Sequence, residues 1–340
     1  MSERRYFLDR SPGERRAVVT LDGRPERLFI ERDGEGAPRL GARYAARVRR
    51  VDRVLGMAFL DLGGDGEAVA ALGRASLGEG QAVEVEITAE PRRDKAAIAS
   101  VHGPATSGVG LLQAGPTAAE RLEALADGGA IVEGDAARQA ADEAEEAVLV
   151  VEHSLPGGGT IAIEPTRALV AIDVDQGTRG GQDRARVVQQ TNLTAIREGA
   201  RLLRLKGLGG LVVFDLVGQG QAGEALAAEA KRAFATDQPG VVIGPVSRLG
   251  TLTLALPQRR TPVADLLLDS DGRPSARSVA QRLVREVVRE GRSDPGALFD
   301  VVCAPDVAEV LQPLLIALGP RFDVTAEVGR ARSDTDIRRR

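Results

Sequence analysis

Residues 167–215 read RALVAIDVDQGTRGGQDRARVVQQTNLTAIREGARLLRLKGLGGLVVFD, and this stretch decides the fold. It opens with an apolar run, 168–172, that stops at Asp173, and closes with a second, 211–214, that stops at Asp215. Both runs are short, rich in β-branched residues and bounded by glycine or charge, the pattern of buried strands. Between them, 183–206 reads as a helix. Leu193, Ile196, Ala200 and Leu203 form one apolar stripe, Arg197, Arg201 and Arg204 a second stripe beside it, and Gly207, Gly209 and Gly210 supply the stop. Strand, helix and strand with a glycine exit predict a right-handed crossover between parallel neighbours. Asp173 and Asp215 then leave the sheet at the same end, where open α/β sheets bind ligands. Asp175, two residues beyond Asp173, points to the same face in extended chain. Carboxylates converging there repel one another unless a cation joins them, and Mg²⁺ suits a site of few carboxylates, waters and phosphate oxygens. Aspartate also favours caps and turns, so the two positions alone do not establish a metal site.

The longer strings do more. GGGTIAIEPTRALVAIDVDQGTRGG, from 157, and TNLTAIREGARLLRLKGLGGLVVFD, from 191, resemble the catalytic subdomain of the ribonuclease E/G family, which is DNase I-like in fold. In that family an Asp, and two residues on an Asn, follow the first strand, and an Asp ends the second. The two aspartates hold Mg²⁺ and match Asp173 and Asp215; the Asn position is occupied by Asp175, which adds a negative charge. The later string SRLGTLTLALPQRR resembles a family segment whose arginines sit near the substrate, with Arg248 matching the first and Arg259 the closest counterpart of a later one. Arg179, Lys206 and Arg248 are the candidates for contacting the scissile phosphate, because charge developing there needs nearby cations.

Outward from this centre, the N-terminal segment reads as RRAVVTL and RPERLFIER around Asp22-Gly23, a strong hairpin signal. From Gly41 onward, short strands with glycine-rich turns fit a small five-stranded barrel. The string GMAFLDLGGDG within it resembles the family's S1 RNA-binding domain. The resemblance implies an RNA-contacting aromatic at Phe59 and a lysine at Lys95, while the second aromatic position is Val69. Stacking a base on an aromatic is worth about 1–3 kcal/mol, so one lost platform weakens the grip. Residues 103–156 are shorter than the family's sensor of RNA 5′ ends and read as an Ala- and acid-rich helical piece with a scaffold strand at 147–152. The family's paired cysteines of a zinc link are absent from 261–275, which leaves a possible homodimer without that link. Beyond come helix 276–290, strand, helix and strand, then a basic tail, 330–340, expected to be disordered.

Composition sets the outer bounds. In 340 residues there are 45 Lys and Arg against 49 Asp and Glu, a net charge of −4, which argues against a generalised nucleic-acid coat. Charge is uneven, however: Arg43, Arg47, Arg49, Arg50 and Arg53 cluster against Asp52 alone. The one cysteine, Cys303, excludes an internal disulfide and reads as a buried small hydrophobe. No signal-peptide pattern or membrane-length apolar run is seen, so a cytoplasmic protein without membrane partners is expected.

The fold expected is α/β and multidomain: an S1 (OB-fold) barrel, 39–102, inserted in an RNase H-like scaffold that begins with 1–38 and continues in 103–156. A DNase I-like α/β catalytic subdomain, 157–260, and a small C-terminal α/β domain, 261–340, follow. The resemblance implies a Mg²⁺-dependent endoribonuclease that cuts single-stranded RNA to 5′-phosphate and 3′-hydroxyl products. The alternative from another class is a non-catalytic RNA-binding protein that keeps this fold.

Overall fold

The computed structural model describes residues 3–36, 38–73, 77–93, 95–177, 184–218 and 223–340. The chain begins with three antiparallel strands, β1 (Arg4–Ser11), β2 (Glu14–Leu21) and β3 (Arg24–Arg32). Sequence reading gave two of them. It missed β1 because RRYFLDRS is too charged to stand out as an apolar run. Asp22 and Gly23 both take positive φ, 51° and 76°, as a tight hairpin turn requires. Alternation sends Phe7, Val18 and Leu28 to one face and Leu8, Ala17, Val19 and Phe29 to the other, and both faces are buried.

The next strands are β4 (Arg43–Asp52), β5 (Met57–Asp61), β6 (Glu67–Ala71), β7 (Ala82–Ala89) and β8 (Ala97–Pro104). They pair in the order β5-β6-β8-β7-β4, and β4 also pairs with β5, closing the five-stranded barrel. Its interior is filled by small aliphatic side chains such as Ala46, Val48, Ala58, Leu60, Val85 and Ile87. A short strand, β9 (Gly110–Gln113), adds to the outside of β4.

Helix α1 (Ala118–Ala126), closed at its start by a Thr117–Glu120 capping box, covers one face of the first sheet. β10 (Ile131–Val132) joins that sheet parallel to β1. Helix α2 (Asp135–Leu149) covers the other face through Ala137, Ala141, Ala144 and Val148. The scaffold strand expected at 147–152 is therefore corrected. The apolar run AVLV continues the helical stripe of α2, and only β11 (Glu152–Ser154) is extended.

A six-stranded sheet follows, in the order β11-β12-β13-β14-β16-β15. Its elements are β12 (Thr160–Pro165), β13 (Val170–Asp175), α3 (Arg184–Lys206), β14 (Gly210–Asp215), α4 (Gly223–Ala233), β15 (Val242–Val246) and β16 (Thr251–Leu256). Helix α3 crosses between the parallel strands β13 and β14, as its stripe predicts, with Ile196, Ala200 and Leu203 buried. At Gly199 the helix comes so close to β14 that a Cβ would lie 2.5 Å from the Phe214 ring.

The remaining elements are α5 (Val263–Leu267), α6 (Ala276–Ser293), β17 (Phe299–Cys303), α7 (Pro305–Ile316), β18 (Phe322–Ala326) and β19 (Asp336–Arg339). Cys303 is fully buried in this unit's core. The expected disorder of the tail is also corrected: β19 pairs antiparallel with β17, and Ile337 packs on the core. Acidic partners neutralise its charge, with Arg332 on Asp269 and Asp306, Arg339 on Asp294 and Arg340 on Asp323.

Buried ion pairs join these pieces. Arg16, wholly buried, meets Asp9 at 2.6 Å and reaches across to Asp142 and Glu145 of α2 at 2.7 and 2.9 Å. Glu14, equally buried, holds Arg32 at 2.8 Å and Arg285 of α6 at 2.5 Å. Removing one member of such a network strands the others in a low-dielectric interior. Glu14→Ala is expected to cost about 3–5 kcal/mol, because Arg32 and Arg285 lose their shared carboxylate. Urea unfolding followed by circular dichroism measures it, and a loss well under 1 kcal/mol would contradict this account of the junction.

Lys206 belongs to the same architecture. It is buried, and its ammonium donates to the carbonyls of Val150 at 2.6 Å, Val148 at 2.7 Å and Ala147 at 3.4 Å, closing the C-terminus of α2. Burial pulls its pKa down to about 8. The carbonyls and the negative helix end favour the charged form. The phosphate-contact role expected for Lys206 is thus overturned, because all three donors are already used inside the fold. Lys206→Met is expected to lower the melting temperature while RNA affinity per folded molecule stays unchanged. A specific loss of RNA binding at undiminished stability would return Lys206 to the nucleic-acid surface.

Candidate active site on the six-stranded sheet

The parallel register of β13 and β14 runs Val170 to Val212, Ala171 to Val213, Ile172 to Phe214 and Asp173 to Asp215. Side chains alternate, so Val170, Ile172, Val174, Val212 and Phe214 are buried in the core that α3 completes. Asp173 and Asp215 are exposed and emerge on the opposite face. The two carboxylates therefore sit on neighbouring strands, about 4.8 Å apart in backbone terms, at the same sheet end. No arginine or lysine pairs with either among the described residues. Two hard oxygen donors without an internal counter-charge fit a divalent cation that keeps waters and takes further oxygens from a substrate.

Asp175 behaves differently. Its Oδ1 accepts from the Gly177 amide at 2.8 Å, a local turn, and its strand partner is Thr160 on the other side. Among the described residues no group of three or more acidic, His or Cys side chains could hold a metal. Asp175 is exposed on the same strand face as Asp173, with one of its two carboxylate oxygens engaged in the turn that follows.

The far side of the pair is built by β16. Thr251 is the strand partner of Asp215, and its Oγ1 lies 2.7 Å from Ser247 Oγ, closing the turn that carries the exposed Arg248. Gly250 in that turn has φ +89°, and its carbonyl accepts from the Leu216 amide at 3.1 Å. A Cβ at Gly250 would come within 2.8 Å of the Gly218 carbonyl. The turn is thereby locked to the backbone just beyond Asp215, and Arg248 stands at the same sheet end as the carboxylates. Arg179 lies outside the described residues. Arg259 is remote from this end; it follows β16 at the opposite end of the sheet and donates to the Pro239 carbonyl at 3.1 Å.

Sequence reading missed one residue of the site, Asn192. It is fully buried on α3, donating Nδ2 to the Val217 carbonyl and accepting from the Val217 amide, both at 2.9 Å. This two-way clamp holds the segment that follows Asp215. The signal was legible: an amide on the buried side of a helix must find partners, and a backbone N–H/C=O pair satisfies it completely.

On the barrel, Phe59 points outward between the buried Ala58 and Leu60. Its strand neighbours on that face are Arg50 and Val69, and Ile98 follows beside Val69. The Arg50 guanidinium lies 4.1 Å above the Phe59 ring. Lys95 is exposed at the turn that leads into β8. The two histidines are engaged locally. His102 stands 3.2 Å from Glu86, and His153 contacts the Val150 carbonyl, its pKa pushed down to about 4 by burial and by Lys206. No helix among the described residues is long and apolar enough to cross a membrane.

Comparison with known proteins converges on this sheet. The model of the ribonuclease E/G family matches residues 120–259. Ribonuclease E of Escherichia coli (strain K12) is 40% identical over 115 residues, 33% of this chain and 11% of that protein. The chloroplastic ribonuclease E/G-like protein of Arabidopsis thaliana is 30% identical over 131 residues, 37% of this chain and 13% of the relative. Ribonuclease G of Salmonella typhimurium is 26% identical over 168 residues, 46% of this chain and 34% of the relative. The matched stretch thus spans about a tenth to a third of these relatives. It contains Asp173, Asn192, Asp215 and Arg248, and over it the chain is similar to the ribonuclease E/G family.

Proposed function

We propose that this chain is an endoribonuclease that hydrolyses phosphodiester bonds of single-stranded RNA at the Asp173–Asp215 pair. The observation that carries the reading is the in-register pairing of these two exposed carboxylates at one end of a parallel strand pair, inside the segment shared with ribonucleases E and G. Asp173 and Asp215 would hold Mg²⁺, which when bound polarises a phosphate oxygen and acidifies a water, the source of the nucleophile. The chain's own share is positional. Asn192 and Gly250 fix the backbone beyond Asp215, and Arg248 offers a cation to the scissile phosphate from the same end. Hydrolysis leaving 5′-phosphate and 3′-hydroxyl ends follows the family resemblance.

In the same reading the first sheet is part of an RNase H-like scaffold and the six-stranded sheet a DNase I-like subdomain. The barrel acts as an S1 module that binds the strand. Phe59 is its stacking platform, narrowed because its neighbour Val69 has no ring, and Arg50 already covers one face. Arg50 and Lys95 supply phosphate contacts beside it. Any homodimer would form without a cysteine-bound zinc.

Cleavage of a short end-labelled single-stranded RNA, with Mg²⁺ and with chelator, tests the proposal. Asp173→Asn and Asp215→Asn are each expected to reduce cleavage to background while RNA affinity stays within a few-fold, because the barrel supplies most of the grip. Near wild-type cleavage by either variant would refute the assignment of the metal. Specific binding by the wild-type chain with no cleavage under any divalent metal would establish the binding-only alternative.

Asp175 gives a finer test. Asparagine can keep the turn to the Gly177 amide, so Asp175→Asn is expected to leave the Mg²⁺ concentration for half-maximal cleavage within about threefold of wild type, under 1 kcal/mol. A tenfold or larger rise in Mg²⁺ demand would make Asp175 a direct partner of the cation.

A further inference from the structure

One row of side chains crosses four strands on the outer face of the barrel. Arg50 of β4 pairs with Phe59 of β5, Phe59 with Val69 of β6, and Val69 with Ile98 of β8. The strand residues on either side of the last three, such as Ala58, Leu60, Ala68 and Ala70, fill the barrel core. Alternation therefore turns the whole row outward.

Arg50 is aimed by a local irregularity. The register of β4 on β5 shifts between Val48 and Arg50, which leaves Arg49 as the extra residue of a bulge. The two arginines then part company. Arg49 donates to Asp61 at 3.0 Å and is neutralised there. Arg50 is exposed and pairs with no carboxylate among the described residues. Its guanidinium lies over the Phe59 ring instead, 4.1 Å from the ring centre.

That contact decides which surface a base can reach. Phe59 is half-buried, flanked by Val69, and its ring is covered by Arg50. The surface left open is the far face of the guanidinium, with the 41% exposed Ile98 further along the row. A guanidinium is planar, delocalised and weakly hydrated, so it stacks on π-faces from either side. Unpaired bases stack on arginine planes as they do on aromatic rings. Resting on Phe59 also holds the side chain in place before any ligand arrives, which reduces the entropy lost on binding.

We propose that Arg50, backed by Phe59, is itself the base-stacking platform of the barrel. An unpaired nucleobase lies on the free face of the guanidinium, in the order base, guanidinium, phenyl ring. This inference rests on the reading that the barrel binds single-stranded RNA. It gives Arg50 a contact with the base in addition to the phosphate. The two contacts make different demands: a phosphate contact needs a positive charge and ignores the base, whereas a platform needs both the flat face and the base.

Calorimetric titration of the full chain in chelator, where cleavage plays no part, separates them. The probes are a short oligoadenylate and a ribose-phosphate strand of the same length that carries no bases. The wild-type chain is expected to bind the oligoadenylate more tightly. Arg50→Lys keeps the charge and loses the plane. It is expected to weaken the oligoadenylate about fivefold or more and to leave the base-free strand within about twofold. Phe59→Leu, which removes the backing, is expected to act in the same direction. Circular dichroism verifies folding, and Arg50→Lys, at an exposed position, carries the test if Phe59→Leu unfolds. Unchanged oligoadenylate affinity in Arg50→Lys overturns the proposal, because a point charge then suffices. Equal weakening of both strands overturns it too, because Arg50 then serves the phosphates alone. Either result leaves RNA binding by the barrel intact, whereas a wild-type chain that binds neither strand removes both readings.

Discussion

The pairing of β13 with β14 is the constraint on which the rest of the sheet depends. Two parallel strands cannot be joined by a tight turn, so the chain must cross over through a long segment, and α3 is that segment. Its length and stripe let one face cover the sheet from Ile161 to Leu254 while the opposite face stays open. The contact is tightest where Gly199 admits the Phe214 ring. Phe214 is the residue before Asp215, so the packing that fixes the helix also fixes the carboxylate's height. Asn192, two turns earlier on the same face of α3, then ties down the backbone after it.

Assembly around this sheet is electrostatic to an unusual degree for an interior. The chain has no tryptophan and few aromatics, and its cores are built from Ala, Val, Leu and Ile. Small side chains let α2 lie close on the first sheet, and one apolar core runs from Phe7, Val18 and Leu28 through α2 to the six-stranded sheet. Glu14, Arg16, Glu26 and Arg204 add buried ion pairs at the junctions. Such buried pairs contribute modestly to net stability, since desolvation offsets their attraction. Their geometry, however, tolerates one docking: Glu14 meets Arg285 of α6 only if the C-terminal unit sits where it does.

The same economy explains why so few of the chain's arginines are free to meet a ligand. Most of those in the tail, on α3 and on α6 meet carboxylates. Exposed basic groups without a carboxylate partner among the described residues include Arg248 beside the carboxylate pair and Lys95 and Arg50 on the barrel face. An acidic net charge is therefore compatible with local positive surfaces, each defined by what its neighbours fail to neutralise.

The sequence by itself determined the strands that carry Asp173 and Asp215, the helix between them, the barrel and the burial of Cys303, though β13 runs two residues past Asp173. Each rests on periodicity or turn chemistry within a few residues, which the chain carries locally. β1 was hidden by its charges, and α2 absorbed a run that reads as strand because tertiary packing extended its stripe. The partners of most charged side chains were decided by the tertiary structure. Lys206 reads as a phosphate contact until the end of α2 arrives to take its three donors. The arginines of the tail read as disorder until Asp269, Asp294 and Asp323 come within reach from distant positions. Asp175 and Asn192 divide in the same way, one claimed by its own turn and the other by a loop on a different strand. Hydrophobic pattern is a local property, whereas the partner of a charge is set by whichever distant segment the fold brings beside it.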